Sequence, residues 1–240
     1  MKYTILLTAI ILSGCGALEP KFYPQKQTII STLFPSDQKE KSDPELELRI
    51  QNLLSGKKDA GKMDEYSGKY EEKNKFSFDG GKLLIINSLT SINTELLVEL
   101  KKRIKQKKTN ISNVEFIAVS SLPNLSTLRL MGARQGAKYV LVFNSFSNVY
   151  RYHNGWTIPT VLGLGIPYFF LDTQTIKIFA KTEYSLIDIK ENVVLSNESV
   201  TTTGGSKAIL PESGIVQFEV TNKAIEDGFK KLSQKFLEKL

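Results

Sequence analysis

Two carboxylates have the side-chain type best suited to acid and base chemistry, and they flank one predicted strand. Asp172 precedes an alternating apolar and polar segment, and Asp188 follows it 16 positions later. An extended chain rises about 3.3 Å per residue, so the two carboxyl groups lie too far apart to act on one bond. We therefore expect Asp172 to be a loop or cap residue and Asp188 to be a turn residue.

No other pattern in the sequence assembles a nucleophile with a base. His153 is the only histidine, and the nearby Gly155 indicates that it lies in a turn. The serines include no Gly-x-Ser-x-Gly elbow, and a catalytic triad would have to use this one histidine. One histidine and one cysteine also leave too few ligands for the common metal sites. The sequence therefore predicts no catalytic residues and no metal-binding residues, and we expect that the protein is not an enzyme.

Two glycine-containing segments match nucleotide-binding loops only in part. Gly163-Leu-Gly165 lacks the third glycine of a dinucleotide fingerprint and does not lie between a predicted strand and a predicted helix. Gly204-Gly-Ser-Lys207 lacks the first glycine of a phosphate-binding loop, and no predicted helix begins there. Both segments are expected to be ordinary loops, and no cofactor is expected.

Cys15, the only cysteine, ends an N-terminal segment typical of exported proteins. Lys2 precedes the apolar run Ile5–Leu12, which is too short to span a bilayer and indicates a secretory signal. The residues Leu12-Ser-Gly-Cys15 resemble the lipobox of bacterial lipoproteins. That resemblance implies a diacylglyceryl thioether on Cys15, cleavage before it, and acylation of the new amino group, typically with palmitate. The alternative is a plain secretory signal with a chance cysteine.

The charge of the chain bears on its partners. The formal net charge of +7 comes from 32 Lys and Arg residues against 25 Asp and Glu residues. The densest run, Lys101–Lys108, lies on the polar side of a predicted helix, as expected for a solvated face. An exported protein seldom meets nucleic acid, so no nucleic-acid partner is expected. Weak attraction to an anionic membrane or a cell-wall polymer is the better use of this charge.

The stretch Trp156–Phe170 is apolar but is interrupted by glycine and proline, so it is too broken for a transmembrane helix. Two interpretations remain open: a core hairpin with a glycine bulge, or an exposed loop that contacts the membrane or a partner. The predicted helices suffice to cover one face of a five-stranded sheet but hardly both, which favours the contact surface. The residues predicted to form this possible interaction surface are Trp156, Ile158, Leu162, Leu164, Phe169 and Phe170.

The predicted organisation is one α/β (α+β) domain behind a tether. Residues 1–14 form the signal peptide, 15–43 a lipid-anchored tether, 44–78 an N-terminal helix and flexible linker, and 79–240 the α/β envelope domain. Hydrophobic periodicity within 79–240 predicts the order β-α-β-α-β, then an antiparallel hairpin and a long C-terminal helix, in one layered sheet domain.

Individual segments carry this prediction. Leu83–Ile86 is wholly apolar, as in a strand covered on both faces. Ile176–Leu186 alternates, as in a strand with one solvent-exposed face, and Lys190–Asn192 turns the chain into its partner, Val193–Thr202. Thr203–Ser213 is expected to be a loop. The remaining predicted elements are strands Val114–Val119 and Tyr139–Phe143, and helices at Pro44–Leu54, from about Asn93, from Leu125 to an end at Gly136, and at the C-terminus. Apolar residues of the C-terminal helix, among them Phe229 and Phe236, recur at spacings of three and four, which predicts one inward face.

From Leu125 onward the sequence resembles the rhombotail lipoprotein family. The resemblance is carried by packing residues: Leu125–Arg129, Gly136–Val142, Trp156–Gly163, Thr173–Ile176, Leu186–Ile189 and Val193–Leu195, with Ser31–Pro35 similar to a short Ser-rich motif of that family. One departure is the helical end at Leu240, which lacks a glycine-glycine, apolar, basic sorting tail, so tail processing is not implied. The element order is more distantly similar to curli-type secretion lipoproteins and to lipoprotein activators of cell-wall synthases, which bind partners or assemble.

These patterns and resemblances lead to one functional expectation. The chain is expected to be a lipid-anchored bacterial envelope protein with a structural or protein-interaction role, bound to the membrane through Cys15. Its expected location is the outer membrane, facing the periplasm, with an envelope protein partner or self-association. The alternative is a subunit of an oligomeric membrane secretion or pore assembly that uses the 155–171 stretch. An enzyme of unknown type is the third possibility.

Overall fold

The computed structural model describes residue 29 and residues 44–55, 69–70, 78–89, 92–107, 110–153, 174–208 and 212–240. Four helices and six strands lie in these ranges. The helices are α1 (Pro44–Ser55), α2 (Thr94–Gln106), α3 (Leu125–Arg134) and α4 (Ser213–Lys239). The strands are β1 (Lys69–Tyr70), β2 (Lys82–Asn87), β3 (Asn113–Ala118), β4 (Ala137–His153), β5 (Gln174–Asp188) and β6 (Val193–Ala208).

The strands form one mixed sheet in the order β1-β6-β5-β4-β2-β3. β2 pairs in parallel with β3 and with β4, and β1 pairs in parallel with β6. Only a short turn joins the neighbouring strands β5 and β6, and a parallel crossover needs a much longer connection, so these two strands are antiparallel. This arrangement confirms the predicted β-α-β-α-β order, the antiparallel hairpin and the long C-terminal helix.

Local sequence signals set the ends of α2 and α3. The Asn93 side chain accepts a hydrogen bond from the Glu95 backbone N–H at 3.1 Å, and Asn124 accepts one from Thr127 at 2.8 Å. Each side chain thereby satisfies an N–H group that the first helical turn leaves free. Gly136 follows α3 with a φ of 64°, a left-handed conformation that suits glycine after a helix. Gly136 therefore ends α3 as predicted.

The chain divides into two compact units, and the larger one comprises residues 26–146, 181–201 and 225–240. Leu83–Ile86 of β2 is completely buried there, which confirms the prediction of a strand covered on both faces. On one sheet face, α1 and α3 pack in a shared core with alternate residues of β2, β4 and β5. Its completely buried members include Ile29, Ile50, Leu84, Ile86, Leu128, Val140, Val142 and Ile187.

The other sheet face of the larger unit packs against α4. The ring centroid of Phe143 lies 4.8 Å from that of Phe229, and the Tyr184 centroid lies 5.6 Å from that of Phe236. The expectation that the helices can hardly cover both sheet faces is therefore wrong for this unit. The physical reason is that Ile29 and α1 add apolar surface beside α3, which leaves α4 for the opposite face.

The predicted solvent-exposed face of β5 is correct only for its first half. Burial alternates from Ile176 to Lys181, whereas every residue from Thr182 to Asp188 is buried. Two polar residues expected in water are therefore buried, Glu183 with 1% and Ser185 with 0% of the residue surface exposed. Both have partners: Glu183 accepts a hydrogen bond from the backbone N–H of Ile29, and Ser185 donates one to the Asn197 side chain.

Two strands extend further than the sequence predicts. β4 continues to His153, and β6 continues to Ala208 through part of the expected 203–213 loop. Gly204 explains the second difference. A Cβ atom there would lie 2.6 Å from Cγ1 of Val220, so the glycine permits β6 and α4 to approach closely instead of marking a loop.

The smaller unit comprises residues 1–25, 147–180 and 202–224. Thr202 Oγ1 donates to the Ala224 carbonyl at 2.6 Å, which ties β6 to α4 within this unit. The Tyr150 and Phe179 rings pack edge to face with their centroids 5.7 Å apart. The Arg151 guanidinium donates to Gln217 of α4 through Nε at 2.7 Å.

Candidate functional site

Most of the sequence-predicted site residues lie outside the described residues. These are the lipidation candidate Cys15, the loop or cap candidate Asp172, and the six residues proposed for an interaction surface, Trp156, Ile158, Leu162, Leu164, Phe169 and Phe170. The predictions for them stay predictions. Among the described residues, the candidate positions are the strand ends, the buried charged groups and the surface between helices.

Asp188 and His153 are both strand ends. The Asp188 carboxylate accepts hydrogen bonds from the backbone N–H groups of Lys190 and Glu191, each at 3.0 Å, which confirms it as a turn residue. Burial raises the pKa of this carboxyl. His153 is the last residue of β4, and the residues that follow it lie outside the described part of the chain, so its prediction as a turn residue stays a prediction.

Polar side chains at the carboxyl ends of the parallel strands form hydrogen bonds within the protein. In α/β sheets this edge commonly binds ligands, so its polar side chains are natural candidates. Here the Asn87 amide donates to the Leu89 carbonyl at 3.1 Å. Ser88 Oγ lies 2.9 Å from the Phe143 carbonyl and 2.7 Å from Asn144 Oδ1. These bonds fix the strand ends and leave no evident ligand site there.

A charged cluster lies at the opposite strand ends. The Asp79 carboxylate accepts hydrogen bonds from the Lys138 ammonium, at 2.5 Å, and from the Tyr139 hydroxyl. Gly81, with a φ of 100°, keeps the chain close, since a Cβ atom there would lie 2.9 Å from Lys138 Cβ. Burial and the Asp79 carboxylate raise the pKa of Tyr139 far above its ordinary value. In this cluster Lys138 and Tyr139 donate hydrogen bonds and Asp79 accepts them. This arrangement favours a structural role over proton transfer.

The charge partner of Asp79 gives a testable pH dependence. The hydrogen bonds from Lys138 and Tyr139 lower the pKa of Asp79 from 3.8 to about 2. The contribution of this carboxylate to folding is therefore complete above pH 3.8 and is lost as the pH falls towards 2. Replacement of Lys138 by alanine should raise the Asp79 pKa towards 3.8, as measured by NMR titration of the carboxyl carbon. Lys230→Ala is the control and should leave it unchanged; equal pKa values in wild type and Lys138→Ala would contradict the assignment.

Glu183 is a second charged group that the sequence pattern did not identify. Its carboxylate lies 2.5 Å from the Lys181 ammonium and 2.5 Å from the backbone nitrogen of Ile29. Lys181 and Glu183 share one sheet face because side chains alternate along a strand. The pair joins residue 29 to β5, so it is a structural contact. Glu183 alternates with apolar residues in the sequence, and this pattern fits a solvent-exposed face equally well, so it does not predict that Glu183 is buried.

Helices α2 and α4 line a groove of about 280 Å³ on the larger unit, which we call the α2–α4 groove. Its apolar lining comes from Leu96 and Leu100 of α2 and from Phe229 and Leu237 of α4. The sequence predicts both helices but not the space between them. Periodicity shows which helix face is apolar and does not show how closely two helices pack.

The charged residues of the α2–α4 groove are predominantly basic. Arg103, Lys230 and Lys231 line it together with a single acid, Glu99, which forms an ion pair with Arg103 at 2.5 Å. Lys230 forms an ion pair with Glu226 at 2.7 Å, and this hydrogen bond raises the pKa of Lys230. Ser233 also lines the groove, and its buried hydroxyl has no hydrogen-bond partner among the described residues. The groove thus combines an apolar floor, a basic rim and one buried polar group.

Four helices lie in the described part of the chain. None of its helices is long and apolar enough to cross a membrane. In the same residues, no three His, Cys, Asp or Glu side chains come together in a way that could hold a metal ion. The α2–α4 groove, with its apolar floor and basic rim, is the candidate site among the described residues.

Comparisons with known proteins identify only partial likenesses. No family model matches the sequence, and no curated protein matches it. A minor lipoprotein from Acinetobacter baumannii is similar at a TM-score of 0.36 and 10% identity, over 65% of this chain and 93% of that one. Uncharacterized lipoprotein B from Nitrosomonas europaea has a TM-score of 0.27 at 10% identity, over 75% and 88%. The PelC dodecamer from Paraburkholderia phytofirmans has a TM-score of 0.27 at 17% identity, over 63% and 89%. No function follows from likenesses this low.

Proposed function

We propose that this chain is a lipid-anchored protein of the bacterial cell envelope with a structural or protein-interaction role and no catalysis. The observation that carries the proposal is Cys15, the only cysteine, placed directly after the apolar run Ile5–Leu12 and the residues Ser13-Gly14. A short apolar segment with one preceding charge is typical of an export signal. Two acyl chains on one residue suffice for stable membrane attachment.

The described side chains support binding better than catalysis. Asp188 accepts hydrogen bonds from two backbone N–H groups, and Asp79 forms an ion pair with Lys138. Neither carboxylate is hydrogen-bonded to a nucleophile in these contacts. An active site needs a nucleophile, a base and an oxyanion donor within reach of one atom. The α2–α4 groove instead offers apolar surface with a charged rim, which is the composition of many binding sites.

The finer location and family are part of the same proposal. Gly16 and Ala17 follow the anchor without an acidic residue of the enterobacterial inner-membrane retention type, which favours the outer membrane, facing the periplasm. The resemblance to the rhombotail lipoprotein family rests on packing residues such as Gly136–Val142. The proposed partner is an envelope protein or a second copy of the chain.

The lipid anchor is tested by replacing Cys15 with alanine and feeding cells an alkyne fatty acid. We expect the wild-type protein to take up the label and to run as a shorter, processed chain, because the thiol is the acceptor and processing follows acylation. The Cys15→Ala protein should stay unlabelled and keep the length of the precursor. Cys15→Ser is a matched control that retains a hydroxyl and should behave in the same way. Label on either variant would contradict the anchor.

A further inference from the structure

We propose that the α2–α4 groove binds an acidic, amphipathic peptide segment of an envelope partner, an inference that rests on the proposed interaction role. The lining residues include three cations, Arg103, Lys230 and Lys231, against the single acid Glu99. Glu99 is paired with Arg103 at 2.5 Å, and Lys230 is paired with Glu226 at 2.7 Å. Lys231 adds a third cation, so the lining keeps an excess of positive charge. Carboxylates on the partner complement this rim, and such complementarity steers association and selects the partner.

The size of the groove favours a peptide over a broad surface. The lining of α2 runs from Leu96 to Arg103, which at 1.5 Å per residue is about 10 Å of helix. A space of about 280 Å³ and this length suit one or two apolar anchor side chains from a segment of a few turns. Amphipathic helices bind grooves of this kind through anchors at positions i, i+3 and i+4.

Ser233 gives the groove a specific polar requirement. Only 9% of this residue is exposed, and its Oγ has no hydrogen-bond partner among the described residues. A buried hydroxyl without a partner is unfavourable, so a ligand group that pairs with it gains affinity. A flat anionic membrane could engage exposed lysines but could not reach a recessed hydroxyl. The serine therefore favours the peptide.

Fluorescence anisotropy with two synthetic peptides tests the proposal on the full-length chain purified in detergent. Both peptides span about three helical turns with leucine at positions i, i+3 and i+4; one carries glutamates beside the leucines and the other carries lysines. We expect the glutamate peptide to bind at least about tenfold more tightly than the lysine peptide. Failure of the glutamate peptide to bind, or equal binding of the two, would overturn the proposal.

Variants locate the binding within the groove. The double variant Arg103→Glu, Lys231→Glu should bind the glutamate peptide about tenfold more weakly, or weaker still. The control pair, Lys102→Glu with Lys105→Glu, makes the same charge change at exposed positions of α2 outside the groove and should have little effect. Ser233→Ala should weaken binding about fivefold without lowering the melting temperature, because the hydroxyl has no partner to lose in the free protein.

Three results would overturn the assignment. If both double variants lost the same affinity for the glutamate peptide, the peptide would bind a diffuse basic face and not the groove. If phosphatidylglycerol vesicles then competed with the peptide, that basic face would be assigned to the membrane. Unchanged affinity in Ser233→Ala would remove the serine from the site. Crosslinking in intact cells separates this proposal from the proposed function. Complexes that persist in the Arg103→Glu, Lys231→Glu protein would contradict binding in the groove but not the interaction role. The absence of complexes in wild type would contradict the interaction role itself.

Discussion

Replacement of Phe229 by alanine should lower the free energy of unfolding by about 3–5 kcal/mol. The ring is 1% exposed, and its centroid lies 4.8 Å from that of Phe143 in the sheet. Removal of a buried ring loses the transfer free energy of its carbon atoms and leaves a cavity that close-packed neighbours fill only in part. Urea denaturation monitored by circular dichroism measures the change.

The matched control for this experiment is Phe218→Ala in the same helix. Phe218 is 67% exposed, so the same chemical change there should alter stability by no more than about 0.5 kcal/mol. Equal stability of the wild-type and Phe229→Ala proteins would show that α4 is not an integral part of the fold. A large effect of both substitutions would show that the helix itself, rather than its buried face, responds to the loss of the aromatic ring.

Replacement of Glu183 by alanine should be comparably destabilising, by about 3–5 kcal/mol. The carboxylate is 1% exposed and accepts from both the Lys181 ammonium and the Ile29 backbone N–H. Its removal leaves the buried backbone N–H of Ile29 and the Lys181 ammonium, whose side chain is 20% exposed, without this carboxylate. Hydrogen exchange at the Ile29 amide should also accelerate.

A surface ion pair provides the control for Glu183. Glu115 pairs with Lys82 at 2.5 Å, but 38% of the Glu115 side chain is exposed. Solvent screens such a pair, so Glu115→Ala should cost no more than about 1 kcal/mol. If the two substitutions proved equally mild, the contact of Glu183 with residue 29 would contribute little to the folded chain.

Apolar patterns allowed much of the fold to be predicted. Leu83–Ile86 is a strand buried on both faces, and Phe229 and Phe236 lie on the inward face of α4. These predictions succeed because the helical and strand periods place burial directly in the sequence. Gly136 likewise ends α3 because its conformational freedom is needed at that position.

Other features depend on contacts that no local pattern encodes. Glu183 alternates with apolar neighbours as a solvent-exposed residue would, and only the approach of residue 29 makes it buried. Gly204 lies in a glycine-rich segment that is typical of a loop. Its structural role is to leave room for Val220, because glycine has no Cβ atom. The Asp79–Lys138 pair joins residues 59 positions apart, and the α2–α4 groove exists only once two helices pack. Long-range packing decides each of these, so single-sequence reasoning could not locate them.

The central claim is that the anchored chain works by binding a partner in the envelope, and crosslinking of intact cells tests it most directly. A membrane-permeant, lysine-reactive crosslinker suits a chain with this lysine-rich surface, and immunoblotting of the envelope fraction reports the mass of the products. We predict a discrete complex heavier than the monomer in wild type, and its loss in Cys15→Ala, because the unanchored precursor no longer reaches its partner. A wild-type protein that stays monomeric at every crosslinker concentration, or a complex that is unchanged in Cys15→Ala, would contradict the account.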